Sequence, residues 1–477
     1  MANADRADWH AALCAIVGHT HVLDSDDEAA RSYLKEWRGT FSPVARCIVR
    51  PESTEQVAAV VRLAAAHDLS IVPQSGNTGT VGGTAADDAN GQILLNVDRM
   101  EVIREIDPDN ATMTVEAGCT LGKAQRAAAD AGFYLPIALA SREMCCLGGN
   151  LGSNAGGLNV IRYGNTRDQV LGLEVVTADG RVWDNLSGLR KDNSGYDLND
   201  LFVGSEGTLG VITACVLGLA SPPRQRAVAF CAVSDVEAAV RFQRRIRQDT
   251  GDQVTGCELM SAQALSLALA YAPDAECPIE ASQAWYLLIE VASAARGRWL
   301  SGIFAEALTA GRDAGEITAY AIADDEPGMD ALWHLRESIP PAQSAEGASI
   351  KHDISLPVSR LPAFLQVALP DVAAVVPGIR PCVFGHVGDG NLHFNLTRPQ
   401  DITDADFREY EAHLHRVVHD HVVAMRGSVA AEHGVGRLKV DEIQRVKSAV
   451  EIDMLRAIKR ALDPHGRMNP GAVVRLT

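Results

Sequence analysis

Three glycine-dense stretches constrain this chain more than any other feature. The first, Gln74 to Thr84, holds four glycines and four hydroxyl residues in eleven positions; the second, Leu147 to Gly157, holds five glycines in eleven; the third runs from Asp200 to Thr213 around Gly204, Gly207 and Gly210. Backbone freed of Cβ bulk can approach a flat or anionic group, and convergent amides with nearby hydroxyls suit a pyrophosphate. The spacing matches neither G-x-G-x-x-G nor a P-loop, so neither a Rossmann nor a nucleotide-triphosphatase site is supported. Three such stretches in series predict one long cofactor lying across several loops.

Between and before these stretches the chain alternates helix and strand. The pattern from Trp9 to His67 reads as mostly helical, with residues 55–67 apolar at i, i+3, i+4 and i+7 and Ser53 or Thr54 as the cap. Residues 69–72 read as a short strand ending at Pro73. Strands follow at 93–97, 112–117 and 170–177, with a helix at 121–131 and a turn at Asp179-Gly180. Beyond Pro222-Pro223 the sequence says less, although residues 233–247 form an amphipathic helix.

A second set of residues carries chemistry. Gly385 to Asn395 reads GHVGDGNLHFN, and Ala431 to Gly436 reads AEHGVG. His386 and His393 lie seven positions apart, an odd separation that sends side chains to opposite faces of an unbroken strand. Gly388-Asp389-Gly390 supplies a break, after which both imidazoles can face one point and Glu432 can add a carboxylate oxygen. Two nitrogens, one carboxylate and open positions describe a catalytic divalent site, zinc first with manganese or iron behind it. Taken singly, each histidine reads as a strand residue bonded to backbone and Glu432 as a helix cap; the joint pattern argues for a ligand set.

The 477 residues exceed one hydrophobic core. A formal charge of -18 opposes a nucleic-acid partner and requires local positive charge for any anionic substrate. Ten scattered cysteines without a C-x-x-C pair predict a reduced, cytoplasmic chain with buried thiols, the adjacent Cys145-Cys146 included. The opening MANADRADW is acidic where a targeting peptide needs positive charge, and no uninterrupted apolar run reaches the length of a membrane span, so none is expected.

These motifs resemble a known superfamily. Residues from about 37 to 220, with PQSGNTG, GGNLGSNAGG and LFVGSEGTLGVIT, resemble the flavin-binding half of the vanillyl-alcohol oxidase or p-cresol methylhydroxylase (PCMH) superfamily. The second half, with GHVGDGNLHFN, AEHGVG and DPHGRMNPG, resembles its FAD-linked D-2-hydroxyacid dehydrogenase branch. Trp37-Arg38-Gly39 and Lys351-His352-Asp353 look most like D-2-hydroxyglutarate dehydrogenases within it.

The resemblance implies an α+β fold: a two-subdomain PCMH-type FAD-binding domain over 1–220, parallel to about residue 100 and antiparallel after it. An antiparallel-sheet cap domain would follow over 221–425, and a segment 426–477 would return to the flavin. It implies FAD contacts at Pro73, Ser75, Gly76, Asn77, Thr78, Gly79, Gly82, Gly83, Gly148, Gly149, Gly152, Ser153, Asn154, Gly157, Gly207, Ile212 and Asn469. The first loop lacks a His of the kind that attaches flavin covalently in relatives, so the FAD is expected to dissociate.

The same likeness implies Arg336 and Lys351 as substrate carboxylate ligands, Asn395 as a further polar partner, and metal at His386, His393 and Glu432. His433 would be the general base and a substrate contact. The reaction implied is oxidation of a D-2-hydroxy acid, foremost D-2-hydroxyglutarate to 2-oxoglutarate. Electrons would leave to electron-transfer flavoprotein or a quinone, and a homodimer is the default assembly. One departure is Pro340 four positions after Arg336, where many hydroxyglutarate enzymes carry a hydroxyl residue. A D-lactate or glycolate dehydrogenase on the same scaffold is the nearest alternative; a zinc hydrolase and a non-catalytic flavoprotein stand further off.

Overall fold

Ser53 caps the helix that the apolar spacing predicts, its hydroxyl accepting the Gln56 amide at 3.3 Å. The helix runs Thr54–Ala66, and Val57, Val60, Val61 and Ala64 share one core with Ile71, Ile93 and Leu95. The structure is a computed structural model that describes residues 2–87 and 91–476. Its fold is α+β, and the chain divides into two units: Met1–Gly157, Gly164–Pro222 and Glu432–Thr477 form one, Leu158–Tyr163 and Pro223–Ala431 the other.

The first unit holds two sheets. One orders its strands Val22–Leu23, Ile48–Val49, Gln92–Asn96 and Ser70–Gln74, the last three parallel. The other is antiparallel, in the order Ile103–Asp107, Thr112–Glu116, Gly210–Gly218, Val170–Thr177, Val182–Asp184. The second unit is built on an eight-stranded sheet whose long central members are Gln225–Val233, Trp285–Ser293 and Val254–Ser261. Phe230 and Tyr286 stack at 5.6 Å in its core.

Three expectations about local structure need correction. The strand expected to stop at Pro73 continues through it, paired to Leu95. Proline is tolerated there because this is the edge strand of the four, and its outer side takes the carboxy-terminal segment instead: the Ile71 amide donates to Arg467 at 2.8 Å and the Asn469 amide to Ile71 at 2.7 Å. The span from Gly18 to Ser53 is not helical but carries two short strands and two single 3-10 turns, since its apolar residues lack helical spacing. The second glycine stretch contains a helix, Leu147–Ser153, where loop backbone was anticipated.

One segment, Val358–Val375, is long and apolar enough on length and composition to cross a membrane, although Arg360 and Asp371 interrupt it. Leu361, Phe364, Leu365, Ala368 and Val372 are buried, and helix Leu361–Val375 packs on helix Glu411–Ala424 within its unit.

Candidate active site

In the second unit the histidine motif forms a hairpin. Strand Arg380–Gly385 pairs antiparallel with Asn391–Thr397, placing Phe384 opposite His393. Between them the chain reverses around His386, whose carbonyl accepts the amides of Asp389 at 3.2 Å and Gly390 at 3.1 Å. Gly390 has φ +91, and a Cβ there would collide with the Leu356 carbonyl, so only glycine fits the turn. Because His386 lies just beyond its strand, its ring is not bound by the strand's alternation. The two imidazoles stand edge to face, centroids 5.6 Å apart and planes at 76°.

Behind His386 sits a residue that sequence reasoning missed. Glu258, on strand Val254–Ser261 and 0% exposed, takes His386 Nδ1 on Oε1 at 2.5 Å and Arg336 Nε on Oε2 at 2.7 Å. Burial alone would raise its pKa; the charges and hydrogen bonds of His386 and Arg336 outweigh that and hold it down to about 2. A carboxylate on one imidazole nitrogen fixes ring orientation and tautomer, the arrangement that supports metal-ligating histidines. The donor set therefore fits a divalent ion: two convergent imidazoles, one of them braced from behind by a buried anion.

Arg336 is 6% exposed and lies over the Phe384 ring at 4.7 Å. Part of its fork is taken by Glu258. Lys351 is exposed, at the step between strands Ser349–Ile350 and Asp353–Ser355, and Asp353 is the register partner of His393. Asn395 is buried with both ends of its amide engaged: Oδ1 accepts the His352 amide at 3.3 Å and Nδ2 donates to Gln343 at 2.8 Å. Pro340 lies in the first turn of helix Ile339–Ala345, where a missing N–H costs nothing.

The first unit gathers the glycine stretches. After strand Ser70–Gln74, which contains Pro73, the loop from Ser75 turns at Asn77 (φ 51). Among the described residues the amides of Gly76, Asn77, Thr78 and Gly79 donate no hydrogen bond to the protein. The Asn77 side chain is a brace, donating to Lys35 at 2.8 Å and accepting from Thr84 at 2.9 Å. Gly148, Gly149, Gly152 and Ser153 lie in helix Leu147–Ser153, Asn154 is its left-handed cap, and Gly157 follows. A Cβ on Gly149 would lie 2.8 Å from Ser75 Oγ, so the first two stretches meet there.

The third stretch joins them. The Glu206 amide donates to Gly152 at 2.8 Å, and Gly207 (φ +70) lies against Pro73. Asn469 Nδ2 donates to the carbonyls of Gly83 at 2.9 Å and Glu206 at 2.8 Å, tying the closing segment to the first and third stretches. Ile212 lies in strand Gly210–Gly218 with its side chain in the core, and Gly82 packs on the Phe41 ring. Ser153 Oγ, Asn154 Oδ1 and Asn469 Nδ2 each bond the protein. Among the groups the loops offer are backbone amides, Thr80 Oγ1 and Asn150 Nδ2, the last two buried with no hydrogen-bond partner among the described residues. That inventory suits a phosphate-bearing cofactor.

Glu206 also secures the loop that carries His433. Its two carboxylate oxygens accept the amides of Val435 at 2.7 Å and Gly436 at 2.8 Å. Glu432 and His433 are half-buried, and Glu432 Oε1 accepts the Gly157 amide at 3.3 Å. Glu432 follows Ala431 directly, and the Ala431 amide donates to Asp353, the residue opposite His393. A reactive thiol is absent here: Cys145 and Cys146 are buried, and burial pushes the Cys146 thiol up to about 12.

Comparison with known proteins gives the family of both halves of the chain. Residues 45–185 match an FAD binding domain, and residues 222–473 match the C-terminal domain of FAD linked oxidases. A mitochondrial D-2-hydroxyglutarate dehydrogenase of Bos taurus is 36% identical over 94% of this chain and 80% of its own length. A D-2-hydroxyglutarate dehydrogenase of Xanthomonas citri pv. viticola is 35% identical over 94% and 93%, and the D-2-hydroxyglutarate--pyruvate transhydrogenase DLD3 of Saccharomyces cerevisiae 31% identical over 96% and 92%. Among solved structures, p-cresol methylhydroxylase with substrate bound superposes with a TM-score of 0.76 at 18% identity, covering 98% of this chain and 96% of that one. The 4-ethylphenol oxidase of Gulosibacter chungangensis gives 0.75 at 17% identity over the same shares. The two structures speak to the fold alone.

Proposed function

The chain belongs to the FAD-linked D-2-hydroxyacid dehydrogenases, and from that premise we propose that it oxidises D-2-hydroxyglutarate to 2-oxoglutarate with the help of a divalent metal. The observation that carries the metal is the Glu258 carboxylate behind His386, with His393 turned onto the same point. His386, His393 and Glu432 would hold the ion, zinc being the best fit to two imidazoles and one carboxylate. A metal held there supplies Lewis acidity that lowers the pKa of a substrate hydroxyl. Bound FAD supplies the acceptor for the hydride of the α carbon.

The chain's own part is positioning and one proton transfer. His433, on the loop held by Glu206, takes the hydroxyl proton. Lys351 and the guanidinium edge of Arg336 not bonded to Glu258 hold the substrate carboxylates, local positive charge that a chain of net charge -18 must supply. Asn395, on the strand of His393, would offer the substrate a polar contact only by exchanging one of its present bonds. The amides of Gly76 to Gly79 would hold the FAD, which is expected to dissociate because the first loop has no His to attach it. We place the protein in a reducing compartment, the cytoplasm, because all ten cysteines are free and eight of them buried.

Mixing the purified flavoprotein anaerobically with D-2-hydroxyglutarate, D-malate, D-lactate and glycolate tests the substrate. Absorbance near ~450 nm, where a flavin absorbs, is expected to bleach fastest with D-2-hydroxyglutarate. Faster bleaching by D-lactate or glycolate would replace the dicarboxylate assignment, and no bleaching by any hydroxy acid would end the dehydrogenase reading. We propose electron-transfer flavoprotein or a quinone as acceptor; reoxidation assays with each, and with pyruvate because of the yeast relative's name, separate the choices.

A further inference from the structure

The second unit holds a cluster of histidines that the reaction does not use. His415 and His419 lie one turn apart on helix Glu411–Ala424, and His352 reaches them from the step between strands Ser349–Ile350 and Asp353–Ser355. Ring centroids are 4.7 Å apart for His352 and His415, 5.5 Å for His352 and His419, and 5.4 Å for His415 and His419. One nitrogen from each lies within 4.8 Å of the other two. Tetrahedral zinc with imidazole ligands needs nitrogens ~3.4 Å apart, from a bond length of about 2.05 Å, so small side-chain rotations close the set.

Two of the rings are already oriented from behind. His352 Nδ1 bonds the Phe394 carbonyl at 2.8 Å, which leaves Nε2 as the nitrogen to serve a ligand role. His415 Nε2 faces Glu411 Oε1 at 3.5 Å, leaving Nδ1, a buried atom with no hydrogen-bond partner among the described residues. An acceptor on the outer nitrogen and a lone pair directed inward is how metal-binding imidazoles are held. A packed aromatic cluster would explain the ring contacts alone. It would not explain why an acceptor stands at one nitrogen of each of two rings while His415 Nδ1 is buried without one among the described residues.

We propose that His352, His415 and His419 bind a second divalent metal, zinc by ligand type, separate from the ion at His386 and His393. With three protein ligands and water completing the shell, the ion would pin helix Glu411–Ala424 to the strand step that carries Lys351. Its role would be structural, since none of the three residues belongs to the proposed reaction.

Zinc counting tests this in the full-length flavoprotein, stripped with chelator, equilibrated with zinc chloride and freed of unbound metal by gel filtration. The His386→Gln/His393→Gln variant, which removes the other candidate site, is expected to keep one zinc per chain. Adding His415→Gln/His419→Gln is expected to remove it, and the thermal midpoint to lose its response to added zinc. His415→Gln alone, at a half-exposed position, serves should the larger variant fail to fold, and is expected to weaken zinc binding at least tenfold. A folded His386→Gln/His393→Gln protein that holds no zinc would overturn the proposal. So would zinc content and affinity unchanged by the substitutions at 415 and 419.

Discussion

Replacing Glu258 with glutamine is expected to be among the most costly single changes in the molecule. The wild-type carboxylate is wholly buried and bonded to both Arg336 and His386. Glu258→Gln leaves the Arg336 charge buried without its counter-ion, a loss of about 3–5 kcal/mol. Urea denaturation reads that loss directly. A second effect distinguishes positioning from stability: with the carboxylate gone from His386 Nδ1, metal affinity of the still-folded variant should fall by about 10–100-fold, measured by competition with a chelator. Unchanged stability would contradict the ion-pair account, and unchanged metal affinity would contradict the role given to Glu258 behind the metal.

Lys459→Met is expected to match it in the first unit. The Lys459 ammonium, 4% exposed, donates to the Thr208 carbonyl at 2.6 Å, the Met468 carbonyl at 2.7 Å and Asp463 Oδ2 at 2.5 Å. Asp463 in turn accepts the amides of Arg467 at 3.1 Å and Met468 at 2.8 Å. One buried ion pair thus joins helix Ala449–Leu462, the third glycine stretch and the closing segment that edges the parallel sheet. Methionine matches the stem but strands a buried carboxylate and two carbonyls, again about 3–5 kcal/mol by denaturation. A cost under about 1 kcal/mol would mean that the pair is dispensable to the fold.

Much of this was legible in order along the chain. Glycine density marks the three stretches because close backbone approach excludes other residues, and the odd spacing of His386 and His393 demands a turn that Gly388-Asp389-Gly390 can make. The cap at Ser53 and the helix after it follow from local rules. What stayed hidden depends on distant partners. Glu258 sits in VTGCELMS like any strand residue, 128 positions from His386 and 78 from Arg336, and nothing local marks it as an anion for both. Lys459 shares the buried face of its helix with Ile452, seven positions earlier, but its partners Thr208 and Met468 lie outside that helix and nothing local announces them.

Pro73 illustrates the opposite error: a sound local rule for ending strands gave way to an edge position that has no use for the missing N–H. Asn77, Ser153, Asn154 and Asn469 carry a second job that residue type does not announce: Asn77 Nδ2, Ser153 Oγ, Asn154 Oδ1 and Asn469 Nδ2 bond the loops and segments around them.

The central claim is that a flavin-dependent oxidation of a D-2-hydroxy acid depends on an ion held by His386 and His393. Anaerobic reduction of the flavin by D-2-hydroxyglutarate, followed before and after chelation and again after adding back zinc or manganese, tests it most directly. The expected result is rapid bleaching that chelation abolishes and metal restores, with His393→Ala unresponsive throughout. Full-rate bleaching in the chelated protein, or in His393→Ala, would contradict it.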